Sequence, residues 1–286
     1  MNQLFDNNFL DKIQQLTLNA KFTIDGTFAG NRKSRSKGSS VEFSDYREYV
    51  PGDDFRRIDW NAYGRFEKLF IKLFMEEREA PVTIFLDVSK SMDWGEPNKS
   101  IASRRLAAAL SYISLSNFDR VSVVCFDELI KENCKNVRGK IAFYRITNLL
   151  ENVQYTGNSN IQKTVESYPV QWGRGITVII SDFFSQGSFS QVLKHLKYNK
   201  QVIYICHILS PQEIQPDISE SVRLIDSETG EILDITVTPA LLNSYNKALN
   251  EFKSNIKKDC LRWGAFYFDF SSDRTIEEMM KEVAER

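Results

Sequence analysis

The residues of this sequence that are best suited to chemistry follow a short apolar run. The run Val82–Leu86 leads directly into Asp87, and Ser89 and Ser91 follow at two-residue intervals. A tight loop can turn one carboxylate and two hydroxyls toward a single point, and hard oxygen ligands of this kind suit Mg²⁺. The spacing therefore predicts a divalent-cation site at these three residues, for Mg²⁺ or else Mn²⁺ or Ca²⁺.

A second apolar run delivers another carboxylate. Thr177–Ser181 is followed by Asp182, and ligands of open α/β sheets bind beyond the carboxyl ends of the strands. If the two runs are neighbouring strands, Asp182 faces the same cation. A turn-forming segment at 157–161 contributes the hydroxyl of Ser159, with Thr156 as the alternative. The complete predicted site is therefore Asp87, Ser89, Ser91, Ser159 and Asp182.

Two other interpretations of these residues stay open. An aspartate at a strand end can cap the next helix while serines satisfy turn amides, which needs no metal. The pair Asp87 and Asp182 could also hold Mg²⁺ for phosphoester hydrolysis. A phosphatase of the haloacid-dehalogenase type requires a second acid where Ser89 stands, and neither His195 nor His207 falls in a site loop. With no catalytic base or nucleophile in view, we expect a binding protein rather than an enzyme.

The elements that position these residues begin near residue 80, where apolar strands alternate with helical patterns. Such alternation predicts an α/β fold whose mostly parallel, six-stranded sheet is flanked by helices, with one antiparallel edge strand near Leu129–Cys134. The other predicted strands are Val82–Leu86, Val121–Phe126, Thr177–Ser181, Val202–Ile208 and Ala265–Phe270. The predicted helices are Ser100–Asn117, Ile141–Glu151, Phe189–Leu196, Pro239–Ile256 and a last one from about Thr275.

The first 79 residues differ in composition and in the spacing of apolar residues. Residues 5–18 show helical spacing of apolar side chains, and residues 22–79 are rich in charge, aromatics and turn residues. The sequence therefore predicts two domains, an N-terminal helix with a β-rich extension over 1–79 and the α/β domain over 80–286. A β-hairpin is predicted as an insertion at about 222–237.

The five site residues resemble the metal-ion-dependent adhesion site of von Willebrand factor A-type domains. In that family the pattern is Asp-x-Ser-x-Ser, a Thr in a Gly-rich loop and an Asp after a later strand; Ser159 departs from the Thr. The resemblance implies an α/β fold of that type. It also implies that a partner's Asp or Glu completes the metal shell.

A longer motif indicates a more specific family resemblance. The run from Glu42 to Trp60, EFSDYREYVPGDDFRRIDW, looks very like the family labelled domain of unknown function 58, whose genes often neighbour those of MoxR-type AAA+ ATPases. The resemblance implies a protein-binding adaptor that works with such an ATPase in chaperone-like maturation of clients. Interleaved Arg and acidic residues in this run predict ion pairs that fix the extension. Tyr49 and Trp60 are predicted to anchor it by burial.

Composition excludes several other classes of protein. The 286 residues carry a net charge of −1, so no overall field attracts nucleic acid, and the basic run at 32–37 lacks interleaved aromatics. No apolar stretch reaches eighteen residues and no signal-peptide pattern opens the chain, so we expect a cytoplasmic protein without an integral membrane segment. The four cysteines form no Cys-x-x-Cys pair and are expected to be thiols.

Overall fold

A computed structural model describes residues 4–6, 8–16, 41–76, 80–139, 141–170, 173, 175–217, 221–225 and 232–285. The chain divides into two compact units, which are described separately. One unit comprises Met1–Lys21 and Ala80–Arg286, and the other comprises Phe22–Glu79.

The secondary structure alternates strands and helices through most of the chain. The strands are β1 (Val41–Glu48), β2 (Phe70–Glu76), β3 (Pro81–Asp87), β4 (Arg120–Phe126), β5 (Ile130–Val137), β6 (Gly175–Ser181), β7 (Gln201–Leu209), β8 (Ser221–Ile225), β9 (Ile232–Thr236) and β10 (Phe266–Ser271). The helices are α1 (8–16), α2 (Trp60–Phe66), α3 (Lys99–Ser116), α4 (Ile141–Asn152), α5 (Ile161–Ser167), α6 (Phe189–Tyr198), α7 (Pro211–Ile214), α8 (Pro239–Trp263) and α9 (Ile276–Ala284).

The larger unit is built on one six-stranded sheet with the order β10-β7-β6-β3-β4-β5. Five of these strands are parallel, and β5 pairs antiparallel with β4 at one edge. The predicted α/β fold with a mostly parallel sheet and an antiparallel edge strand is therefore confirmed. The strand that ends in Asp87 lies in the interior of this sheet, between β6 and β4.

Both faces of the sheet are covered by helices. Helix α3 packs against α4 and α9, whereas α6 packs against α5 and α8. Along β3 the side chains from Val82 to Asp87 are all buried, as expected for a strand that contributes to two cores. Phe85 belongs to the core shared with α5, α6 and α8. Its neighbours Ile84 and Leu86 are equally buried, and alternation along the strand turns them to the opposite face.

Helix α8 begins where the sequence predicts and ends later. Thr238 accepts a hydrogen bond from the backbone N–H of Leu241, with Pro239 at the first helical position. The helix continues past the predicted end at Ile256 because Cys260, one turn further on, extends the buried stripe. It stops at Gly264, which adopts φ +65°.

The N-terminal helix α1 belongs to the larger unit. Phe9 and Ile13 are buried, and Lys12 forms a 2.8 Å ion pair with Glu277 of α9. The predicted domain boundary at residue 79 groups this helix with the extension instead. Its apolar stripe explains the difference, because that stripe is buried within the unit that contains the sheet.

The smaller unit contains the antiparallel pair β1–β2, a short 3-10 turn and helix α2. Asp59 caps α2 by accepting from the N–H groups of Asn61 and Ala62, and it also accepts the hydroxyl of Tyr46 at 2.8 Å. Trp60 is 63% exposed, so the prediction that it anchors the extension by burial is wrong. Trp60 is the first residue of the helix and its ring contacts only the edge of Tyr63 among the described aromatic pairs, whereas Asp59 connects the helix start with Tyr46.

Several predictions fall partly or wholly on segments outside the described residues. The hairpin is present as the antiparallel pair β8–β9, and its turn at 226–231 lies outside the described residues. The extended run at 22–24 and the basic run at 32–37 also lie outside them. Within the described part of the chain, no helix combines the length and the apolar character needed to cross a membrane.

Candidate metal centre

The two site aspartates come from neighbouring strands. Strands β3 and β6 are parallel, with Leu86 beside Ile180. Asp87 therefore ends β3 one residue after this pair, and Asp182 follows the end of β6 two residues after it, at the same edge of the sheet. Asp87 and Asp182 are fully buried there. The condition on which the second carboxylate depended, that the two strands lie side by side, is met.

Asp87 is held by neutral hydrogen-bond donors. Its Oδ2 accepts from the hydroxyl of Ser159 at 2.7 Å and from the hydroxyl of Ser181 at 2.6 Å, and its Oδ1 accepts from the backbone N–H of Ser89 at 2.9 Å. The pKa of Asp87 is raised to about 6, chiefly by burial and next by repulsion from Asp182. Hydrogen bonds from Ser181 and Ser89 act in the opposite direction. The carboxylate is therefore ordered, and the donors that hold it among the described residues are all neutral.

The loop after β3 continues the cluster outward. The hydroxyls of Ser89 and Ser91 lie 3.1 Å apart; Ser89 is buried and Ser91 is partly exposed. The loop is fixed to the segment before α5, since the N–H of Lys90 donates to the carbonyl of Gly157 and the N–H of Thr156 donates to the carbonyl of Val88. Asp87 thus connects Ser89, through its backbone N–H, with Ser159, through its hydroxyl, while the hydroxyl of Ser91 contacts that of Ser89.

The two alternatives for the third loop occupy different places. The hydroxyl of Ser159 contacts Asp87, whereas the hydroxyl of Thr156 lies 3.4 Å from Asp127, at the end of β4. Gly157 separates them with φ +66°, and a Cβ there would approach Asp127 Oδ2 to 2.8 Å. The glycine therefore allows the loop to deliver Ser159 to the strand end.

Asp182 is held by a cation of the chain itself. Its Oδ2 accepts from the ammonium of Lys99 at 2.9 Å, and its Oδ1 accepts from the N–H of Phe184 at 3.2 Å. Both members of the ion pair are completely buried. Lys99 is the first residue of α3, directly after its cap Asn98.

The same ammonium has a second carboxylate partner. Lys99 Nζ lies 2.6 Å from Oε1 of Glu213, whose side chain is 15% exposed. The other carboxylate oxygen of Glu213 accepts from the N–H of Ser210 and completes the capping box of α7. Burial lowers the pKa of Lys99, but attraction by Asp182 and then by Glu213 outweighs it, so that the pKa ends above its ordinary value. Lys99 is therefore charged.

The family described as protein of unknown function DUF58 matches residues 45–255. The chain belongs to the DUF58 family. It is also 23% identical over 283 residues to uncharacterised proteins of Mycobacterium bovis and Mycobacterium tuberculosis, an alignment that covers 96% of this chain and 88% of each relative.

Solved structures that are similar to this DUF58 chain cover 72% of it. The conserved hypothetical protein BatB from Bacteroides thetaiotaomicron is 14% identical, with 96% of its chain covered and a TM-score of 0.46. An aerotolerance-related membrane protein from Bacteroides fragilis is 13% identical, with 97% covered and a TM-score of 0.43. The SpRpn10 VWA domain is 10% identical, with 95% covered and a TM-score of 0.38.

Three residues of the site in this DUF58 chain escape sequence reasoning. Ser181 directly precedes Asp182 and could have been suspected from that position. Glu213 stands third after Ser210 in a readable capping-box pattern, but nothing in the sequence connects it with Lys99, 114 positions away. Lys99 is a lysine at a helix N-terminus, where the helix dipole disfavours a positive charge, and that mismatch is the signal that could have drawn attention to it.

The donor set of the DUF58 site fits a hard divalent cation. Within the described residues, no group of three or more His, Cys, Asp or Glu is placed to hold a metal. A cation at this site would therefore depend on hydroxyl oxygens together with the carboxylate of Asp87, a combination that suits Mg²⁺ better than Zn²⁺. Ser89, Ser91 and Ser159 supply those hydroxyls, whereas Asp182 is engaged by Lys99.

Proposed function

We propose that this DUF58 chain is a protein-binding adaptor whose contact with its partner depends on a divalent cation, Mg²⁺ or else Mn²⁺ or Ca²⁺. The observation that carries the proposal is the convergence of Ser159, Ser181 and the Ser89 amide on one buried carboxylate, Asp87, at the edge where the parallel strands end. A strand-end cluster of hard oxygen atoms suits a cation, and loops at this edge of an α/β sheet are where ligands bind.

In the proposed complex the residues of the chain have separate tasks. Asp87, Ser89, Ser91 and Ser159 hold the cation, and Asp182 contributes charge from beside it. The cation, when bound, supplies a positive centre that attracts a carboxylate from a partner protein. Ser91 lies at the partly exposed end of the hydroxyl series, which is the side from which an Asp or Glu of the partner would arrive.

The proposed partners are a MoxR-type AAA+ ATPase, a client protein, or both, in chaperone-like maturation or assembly of the client. This part of the proposal follows from the family resemblance of the run at 42–60. The adaptor role requires binding rather than turnover, in keeping with a site whose buried carboxylates are held in place by hydroxyls and by an ammonium.

One observation favours a second candidate, a scaffold that binds partners without metal. The ammonium of Lys99 already neutralises Asp182, so the site contains a positive charge of its own. In that case Asp87 is a structural residue that organises the loops through hydrogen bonds, and its hydroxyl neighbours satisfy it.

Calorimetric titration of the chain with Mg²⁺ tests the proposal. We expect binding that weakens about tenfold or more in Asp87→Asn, because the charged ligand is lost while the side chain keeps its size. Asp93→Asn is the matched control, since Asp93 is an exposed acid four residues after Ser89. Binding of a purified MoxR-type ATPase should then fall in EDTA. Equal binding by wild type and Asp87→Asn, with or without EDTA, contradicts the metal bridge and leaves the scaffold.

A further inference from the structure

The site contains an internal cation that no part of the metal hypothesis requires. Lys99 Nζ lies 2.9 Å from Asp182 and 2.6 Å from Glu213, and its side chain is completely buried. Asp182 is one of the five residues that the adhesion-site pattern assigns to the metal. Its Oδ2 therefore already has a cationic partner.

The position of this ammonium is costly in two ways. Removal of a charge from water is unfavourable, and a positive charge at the first position of α3 opposes the helix dipole. Two carboxylates close to the ammonium compensate for both costs. Lys99 is thus held in the site by Asp182 and Glu213 together, and a change in either partner alters how strongly it holds the other.

The four charged side chains of the cluster have a net negative charge. Asp87, Asp182 and Glu213 carry three negative charges and Lys99 carries one positive charge. The cluster therefore has a deficit of positive charge that one divalent cation would make up. If Lys99 were absent, the deficit would be larger and Asp182 would be free to act on the cation. If Glu213 were neutral, the deficit would shrink and Lys99 would bind Asp182 alone.

We propose that Lys99 is a resident cation that competes with the divalent metal for Asp182 and so weakens the affinity of the site, with Glu213 as the residue that moderates the competition. This inference rests on the proposed function, because it concerns the same site. It names what regulates metal binding there: the distribution of one ammonium between two carboxylates.

Removal of the ammonium and removal of its second partner should have opposite effects. Titration of the full chain with Mg²⁺ should show affinity raised about tenfold or more in Lys99→Met, because an interaction between charges this close is large even when partly screened. Glu213→Gln keeps a side-chain oxygen for the α7 cap and should lower the affinity. Lys163→Met removes an exposed lysine from α5 and should leave the affinity unchanged.

A double-mutant comparison identifies Asp182 as the ligand in dispute. Asp182→Asn should weaken Mg²⁺ binding more in the Lys99→Met background than in the wild type, where the ammonium already occupies that carboxylate. Melting curves establish that each variant is folded. If Lys99→Met does not fold, Glu213→Gln decides, and an affinity equal to or above that of the wild type overturns the inference.

The outcomes separate this inference from the proposed function. Wild-type binding that depends on Asp87 but is unchanged or weakened in Lys99→Met overturns the competition and leaves the metal-dependent adaptor intact. Binding by Lys99→Met but not by the wild type supports the competition and contradicts a metal-dependent wild type. Absence of Mg²⁺ binding in every variant overturns both.

Discussion

Two aspartates end neighbouring strands of one sheet, are equally buried, and are stabilised by different means. Asp87 receives hydrogen bonds from two hydroxyls and an amide, all of them neutral donors. Asp182 receives the ammonium of Lys99. The difference shows that position in a fold does not determine how a buried charge is compensated. The first arrangement retains a demand for positive charge, and the second arrangement largely satisfies it.

Among these contacts, the loss of the Lys99 ammonium should have the largest effect on stability. In metal-free buffer, Lys99→Met should lower the free energy of unfolding by about 3–5 kcal/mol, because Asp182 is left as a buried charge without its ammonium. Urea denaturation measures the change. The exposed control Lys163→Met should alter it by less than about 0.5 kcal/mol. A cost for Lys99→Met as small as that of the control would show that Asp182 is not compensated by the ion pair.

His207 is a second residue that could place a positive charge near Asp182. His207 lies on β7 beside Ser181 and is completely buried, with its Nδ1 2.8 Å from the hydroxyl of Tyr267. Its pKa is lowered from 6.5 to about 4, chiefly by burial, against the attraction of Asp269 and Asp182. The imidazole is therefore neutral near pH 7 and leaves the compensation of Asp182 to Lys99.

The sign of the resulting pH dependence follows from this pKa. Between pH 6.5 and about 4 the unfolded chain binds the proton and the folded chain does not, so stability falls as the pH decreases through that window. The loss should approach about 3 kcal/mol. Urea denaturation at several pH values, with His207→Gln as reference, isolates the contribution. A difference between the two proteins that stays constant across the window would mean that folding does not lower the pKa of His207.

The smallest expected effect concerns the hydroxyls around Asp87. Ser159→Ala should cost about 2 kcal/mol, because a buried carboxylate loses a 2.7 Å hydrogen bond. Thr156→Val removes a hydroxyl that is 3.4 Å from Asp127 and should cost less. Thermal denaturation of the two variants in EDTA orders them. A larger loss of stability in Thr156→Val than in Ser159→Ala would indicate Thr156, rather than Ser159, as the loop residue of the site.

Much of this architecture is readable because periodicity encodes burial. The uninterrupted apolar run of β3 indicates a strand covered on both faces, and the Thr238–Pro239 pair marks the start of α8. The later end of that helix is harder to predict, because the buried stripe continues beyond Ile256 through Cys260 rather than through a large aliphatic side chain. Local chemistry of this kind can be predicted wherever neighbours in sequence determine the structure.

The pairing of Lys99 with Asp182 and Glu213 could not be predicted in the same way. The three residues come from α3, the end of β6 and α7, and only the folded α/β unit brings them together. Sequence patterns rank a lysine as a surface residue, and Trp60 as a buried one, from average behaviour. In each case a local circumstance prevails: two carboxylates close to an ammonium, and an aromatic residue at the outward-facing start of a short helix.

The antiparallel strand β5 has a consequence for self-association. An edge strand exposes unpaired backbone groups that can recruit a strand from another molecule. Lys131, Glu132 and Lys135 project from β5 as exposed charges, and its pairing with β4 is irregular at two points. Charges and irregular register both disfavour the addition of a further strand. The β5 edge of the sheet is thereby disfavoured as a site for pairing with a strand of another molecule.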